Sequence, residues 1–180
     1  YKPKIDWLIE ELDSIYHQTY RDFQVLVWDD CPEDTNDYNE LFKGHLKEIP
    51  FMIHKGKKNL GSNGAFQNLT ELTETPFIAY CDQDDIWMPD HLELLMKNIG
   101  DKPLACGNNI FMNENGNLLG ETLKWQESLD WIPEDSMKVF RSIILFRNPF
   151  QGATMLLKRS FLDLAMPLPK DAPYHDTWFA

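Results

Sequence analysis

Cysteine, cationic side chains and long apolar runs are what this 180-residue sequence is short of. Its three cysteines, Cys31, Cys81 and Cys106, are odd in number and lack metal-ligand spacing. That excludes a disulfide scaffold or a structural zinc site and fits a reducing compartment. Lys and Arg number 17 against 29 Asp and Glu, a formal net charge of -12. A nucleic-acid partner needs a basic face to displace counterions, so it is excluded. No apolar run approaches the length that spans a bilayer, and no signal peptide opens the chain. A cytoplasmic location is expected.

What is present is apolar material: 43% hydrophobic residues and 13% aromatic, with six Trp. That is enough for one packed core and too much for a disordered chain. No low-complexity linker divides the sequence, so residues 1–180 read as a single domain. The chain opens at Tyr1 without methionine and stops at Ala180 in an apolar stretch, and it is expected to be part of something longer. The acid excess suits divalent-cation recruitment, a solvated acidic surface being the blander account.

Ile5, Leu8, Ile9, Leu12 and Ile15 recur at helical spacing and predict a helix over 5–16. The run 23–28 predicts a buried strand ending at Asp29-Asp30. A helix over 37–46, a strand over 51–54, a basic glycine-bearing loop over 55–64 and a helix over 65–72 follow. Pro76 opens a strand over 77–81 that ends in a second acid cluster, Asp82-Gln83-Asp84-Asp85. Pro89 precedes a helix over 91–99, residues 104–112 predict a strand, and Asn115-Gly116 marks a tight turn. Residues 125–147 read as partly helical, 151–157 as a loop entering a strand, and 159–165 as a short helix. The alternation of strand and helix implies an α/β fold with a mostly parallel central sheet flanked by helices. Ligands bind such sheets beyond the carboxyl ends of the strands, where both acid clusters fall.

Three carboxylates within Asp82–Asp85 repel one another unless a cation compensates them. Hard oxygen ligands favour Mg2+ or Mn2+, commonly shared with a substrate phosphate. Taken alone, such a cluster also reads as a turn with a helix cap. Asp29-Asp30 is a second acid pair at the same edge. The loop 55–64 lacks the Walker and dinucleotide patterns, although its lysines and amides suit a diphosphate. His175-Asp176 offers a general base. The other histidines and most tryptophans read as structural.

In order, 12–23, Asp29-Asp30, Asn59-Leu60-Gly61-Ser62-Asn63-Gly64, Asp82-Gln83-Asp84-Asp85-Ile86-Trp87 with Pro89, Gln151-Gly152-Ala153-Thr154-Met155 and His175-Asp176 resemble the motifs of a family 2 glycosyltransferase. The likeness is to bacterial rhamnosyltransferase-like members with the GT-A fold. The resemblance implies an inverting transferase moving a sugar from a nucleotide-diphosphate donor (a dTDP- or UDP-sugar) to a glycan or lipid-linked acceptor. It implies Asp29 and Asp30 at the nucleotide, Asp30 toward the base, and Asn59 and Gly61 shaping the nucleotide pocket. Asp84, with Asp82, would hold Mg2+ or Mn2+, and Asp176 would be the catalytic base. His175 would orient Asp176 or merely flank it. The family's opening strand has no counterpart here, Cys31 stands where it usually has glycine, and its C-terminal continuation lies past Ala180. Membrane association, at the cytoplasmic face, would come through parts outside this chain. A sugar-phosphate nucleotidyltransferase and a non-catalytic domain with a degenerate site are the alternative readings.

Overall fold

The computed structural model describes residues 2–120, 148 and 150–179; the expected partly helical stretch 125–147 lies outside them. The apolar stripe of Leu8, Leu12 and Ile15 becomes the buried face of α1 (Ile5–Tyr16), as the spacing predicts. β1 (Val25–Asp29), α2 (Asn39–Leu46) and β2 (Phe51–Lys55) follow. β1 and β2 pair in parallel, Val25 opposite Phe51 and Asp29 opposite Lys55. Parallel pairing needs a crossover, which α2 supplies by packing on the β1–β2 layer.

α3 (Gly61–Leu72) starts at Gly61 rather than at the expected Ala65. Gly61 turns the chain at φ +69°, and a carboxylate from elsewhere in the fold receives its amide, so the helix begins earlier than local pattern suggests. β3 (Phe77–Ala79), α4 (His91–Ile99) and β4 (Leu104–Cys106) come next. After a 3-10 turn at Gly152–Thr154, β5 (Met155–Lys158), α5 (Arg159–Ala165) and α6 (His175–Phe179) complete the described elements.

The second sheet has the order β3-β5-β4, with β5 antiparallel to both neighbours. Strand direction is therefore mixed: parallel between β1 and β2, shared by β3 and β4, and reversed in β5. The strand expected over 104–112 stops at Cys106, because its partner β5 ends there, with Met155 opposite Cys106. Beyond it the chain turns back at Asn113–Asn117, where Met112 bridges Leu118 and Gly116 sits at φ +75°.

Each sheet carries its own core. Leu8, Leu12, Ile15, Phe42, Leu46 and Ile49 pack over β1 and β2. Ile78, Met155, Leu157, Leu162 and Phe179 pack around β3 and β5. Among the described residues, β1 pairs only with β2 and β3 only with β5. A cavity of about 670 Å³ lies between the two sheets.

Buried polar groups tie the halves together. Gln18, 2% exposed, donates from Nε2 to the carbonyls of Ser14 and Met88, and its Oε1 accepts the Leu92 amide. The Trp87 amide donates to Ser14 Oγ at 3.1 Å. The end of α1 thereby fixes the segment leading into α4. Replacing Gln18 with Ala removes three hydrogen bonds and leaves buried groups unpaired, which costs about 2–4 kcal/mol. The expected reading is a lower urea midpoint at unchanged slope; a midpoint equal to that of the parent chain would refute this role.

Candidate active site

The first acid pair does two different jobs. Asp30, 5% exposed, accepts the Leu60 and Gly61 amides at 2.8 Å and the Trp28 indole N–H at 3.2 Å. Its carboxylate thus caps α3 from outside the helix, where the positive end of the macrodipole favours an anion. Asp29 accepts the Cys31 amide at 3.0 Å and pairs with Lys55 at 3.5 Å. Lys55 is further held by the carbonyl of Asp34. Asn59, exposed, accepts the Gly61 amide at 3.0 Å and closes the turn. The loop amides of Leu60 and Gly61, which the sequence offers to a diphosphate, are thus already committed to Asp30 and Asn59.

The second acid cluster follows β3. Burial, then the charges of Asp84 and Asp176, hold the Asp82 carboxyl above the usual carboxylate range. Asp85 is pushed up to about 6 by burial, then by Asp82 and Asp84. The field over this loop is negative, as the sequence implies. Asp84 is exposed, and Asp82, although crowded enough to raise its carboxyl, keeps solvent access. Hard carboxylate oxygens two residues apart, under mutual repulsion, fit Mg2+ or Mn2+. Among the described residues no group of three His, Cys, Asp or Glu side chains converges to hold an ion alone. A cation here would need oxygens from a bound diphosphate or from water.

Asp29, Asp30, Asn59, Gly61, Asp82 and Asp84 all line the cavity between the sheets. Asp176 lies close enough to Asp82 to raise its carboxyl. It lies in the first turn of α6, where its Oδ1 accepts the Thr177 amide at 2.5 Å and the Thr177 hydroxyl at 3.2 Å. His175 is buried in an aromatic box, 4.4 Å from Phe66 and 5.3 Å from Tyr80 between ring centroids. Neither of its ring nitrogens has a hydrogen-bond partner, and burial lowers its pKa against the opposing charge of Asp176. A Cβ on Gly152 would stand 2.4 Å from its Nε2, which requires glycine there. His175 therefore flanks Asp176 and anchors α6 by packing.

Sequence reasoning missed Glu11. It is 7% exposed, on the cavity wall, and its carboxyl is pushed up to about 8, chiefly by burial. A hydrogen bond with the Cys81 thiol opposes that rise, and Asp85, Asp82 and Asp84 add to it. Its Oε2 has no partner. The signal was available: Glu11 stands three residues after Leu8, inside the apolar stripe of α1.

Residues 4–163 match the model of glycosyl transferase family 2, and the chain belongs to that family. An uncharacterized glycosyltransferase of Methanocaldococcus jannaschii is 30% identical over 118 residues, covering 64% of this chain and 41% of the relative. The Escherichia coli UDP-Glc:alpha-D-GlcNAc-diphosphoundecaprenol beta-1,3-glucosyltransferase is 28% identical over 83 residues, 46% of this chain and 32% of that one. A mannosyltransferase from Pyrobaculum calidifontis, solved with GDP-Man and Mn2+, superposes with a TM-score of 0.61 at 19% identity. That superposition covers 97% of this chain and 47% of the mannosyltransferase, so the likeness is one of fold, and the fold is GT-A. The chain spans less than half the length of each of these proteins. No helix among the described residues is long and apolar enough to cross a membrane.

A carboxyl raised by burial binds its proton more tightly folded than unfolded. For Glu11 the folded state holds more protons from its ordinary 4.5 up to about 8, so stability falls as pH rises through that window. Glu11→Gln should flatten this decline in urea midpoints taken from pH 5 to 8, whereas parallel curves would show that Glu11 is not the group responsible.

Proposed function

We propose that the protein is an inverting glycosyltransferase that moves a sugar from a nucleotide-diphosphate donor to a hydroxyl of a cell-surface glycan or lipid-linked acceptor. The reading rests on one observation: Asp82 and Asp84 line the same cavity as Asp29, Asp30, Asn59 and Gly61, and Asp176 stands within electrostatic reach of Asp82. Family membership and the fold support it.

In this reading the donor nucleoside lies against the wall of Asp29, Asp30, Asn59 and Gly61. Asp30 acts chiefly through the loop it holds, because its oxygens are already taken by amides. Asp84, with Asp82, would hold Mg2+ or Mn2+. A divalent ion bound there supplies positive charge against the leaving diphosphate. Asp176 accepts the proton of the acceptor hydroxyl, with Oδ1 steadied by Thr177. The acceptor oxygen bonds to the anomeric carbon from the face opposite the leaving diphosphate. The bond from that carbon to the diphosphate oxygen breaks, and the diphosphate leaves with its electron pair. The configuration inverts.

The relative named for UDP-Glc supports a UDP-sugar donor, and the GDP-Man complex of the structural neighbour adds GDP to the dTDP implied by the rhamnosyltransferase likeness. The diphosphoundecaprenol in the name of the Escherichia coli relative supports a lipid-linked acceptor.

Titration calorimetry of UDP, dTDP and GDP, each with Mn2+ and then with EDTA, should give metal-dependent binding of one of them. Binding indifferent to EDTA would remove the metal from the mechanism, and pyrophosphate release in turnover would replace transfer with nucleotidyl chemistry. Asp176→Asn should lower turnover by about 10³-fold or more while nucleotide affinity stays within about twofold, as expected for loss of a general base. Equal loss of both would overturn this division of roles.

A further inference from the structure

Asp176 is held from a residue outside every sequence motif. Asn148, twenty-nine residues before Thr177, donates from Nδ2 to the Thr177 hydroxyl at 3.4 Å, and its own Oδ1 accepts the Phe150 amide at 3.0 Å. The Thr177 hydroxyl donates to Asp176 Oδ1 at 3.2 Å, and the Thr177 amide reaches the same oxygen at 2.5 Å. The sense of every link is forced. A backbone N–H can only donate, so the Phe150 amide draws the carbonyl end of the Asn148 side chain toward itself. The NH2 end then faces Thr177, and an NH2 group can only donate. The hydroxyl accepts there and turns its own proton to the carboxylate. Two donors thus converge on Oδ1, whereas Oδ2 takes no hydrogen bond from any described residue. The groups around Asp176 make this support matter. Asp82 after β3, Cys106 at the end of β4 and His175 on α6 lie within its electrostatic reach. None of them is a fixed cation, and no ion pair among the described residues includes Asp176. A carboxylate so placed depends on hydrogen bonds to carry its charge.

We infer that Asn148 is a positioning residue for the proton-accepting carboxylate: through the Thr177 hydroxyl it commits Oδ1 of Asp176 to the fold and leaves Oδ2 as the oxygen that meets the acceptor hydroxyl. This rests on the reading of Asp176 as the base. A general base must present a lone pair at hydrogen-bond distance from the group it deprotonates, and a carboxylate free to rotate presents either oxygen in many orientations. The chain of donors from Asn148 removes that rotation. The proton passes from the acceptor hydroxyl to Oδ2, and the acceptor oxygen keeps the electron pair with which it bonds to the anomeric carbon. One short stretch of chain holds both neighbours of the base. Asn148 reaches Thr177, and Gly152, four residues on, packs against the His175 ring.

Nitrogen-15 NMR of the Asn148 side-chain NH2 tests the chain of donors with no ligand present. Thr177→Val keeps the shape of the side chain and deletes the hydroxyl. It should move the Asn148 NH2 signals toward those of solvated side-chain amides, and Thr177→Ser should return them. Signals that ignore Thr177→Val overturn the inference. Turnover is then read as nucleoside diphosphate released from UDP-Glc and GDP-Man, with water or a p-nitrophenyl glycoside as the accepting hydroxyl. Thr177→Val and Asn148→Ala should each lower kcat by about tenfold while donor KM stays within about twofold, and Thr177→Ser should recover most of the loss. Loss shared equally between kcat and KM, or a Thr177→Ser chain no better than Thr177→Val, marks a merely structural role and also overturns it. Asp176→Asn separates the two levels. Turnover that survives it removes the base and with it the reading of the site. Turnover that Asp176→Asn abolishes but Asn148→Ala and Thr177→Val leave unchanged removes only the role given to Asn148.

Discussion

The carboxylate of Asp30 is the contact on which the arrangement of this molecule turns. A charged acceptor at the end of β1 takes the two amides that open α3, and it does so while almost wholly buried. Such a bond is stronger than a neutral one and more costly to break, because the charge would be left without partners. It fixes the Asn59–Gly61 turn and the direction in which α3 leaves. The far end of α3 is then fixed by Thr70, whose hydroxyl meets the Tyr80 phenol at 2.6 Å and whose carbonyl accepts Arg159 at 2.7 Å. One helix, held at both ends by buried polar contacts, carries the first sheet to the second.

A second bridge runs through α1. Ser14 and Gln18 hold the segment from Trp87 to Leu92, and the Thr19 amide reaches the Pro89 carbonyl at 2.8 Å. These contacts set the acid loop after β3 against the end of α1. The Trp87 indole donates to the Ala153 carbonyl at 2.9 Å and ties that loop to the turn before β5. The same turn holds His175 against Gly152, and so Asp176 beside Asp82. The polar network is the means by which distant carboxylates come to line one cavity despite their repulsion.

The features legible in the sequence were those with a short period. α1, α4 and α5 carry their own apolar spacing, and their structured spans coincide with the expected ones. The two acid clusters fall at strand ends because an apolar run broken by acids has little other reading. What went unread was decided across the fold. α3 begins at Gly61 because Asp30 caps it from thirty-one residues away. β4 stops at Cys106 because β5 gives it no further partner. β5 runs antiparallel between β3 and β4, which no local pattern encodes.

The same division holds at the site. The sequence by itself determined which residues are acidic, that they follow apolar strands, and that Asp176 lies near a histidine. Family likeness then gave them an order. Only the tertiary structure decided what each carboxylate does: Asp30 is consumed as a helix cap, Asp29 pairs with Lys55, Asp82 and Asp84 keep solvent access, and Glu11 is buried with one oxygen unpaired. The physical reason is that a side chain's charge is written in its identity, whereas its solvation and its partners belong to the residues that folding brings beside it.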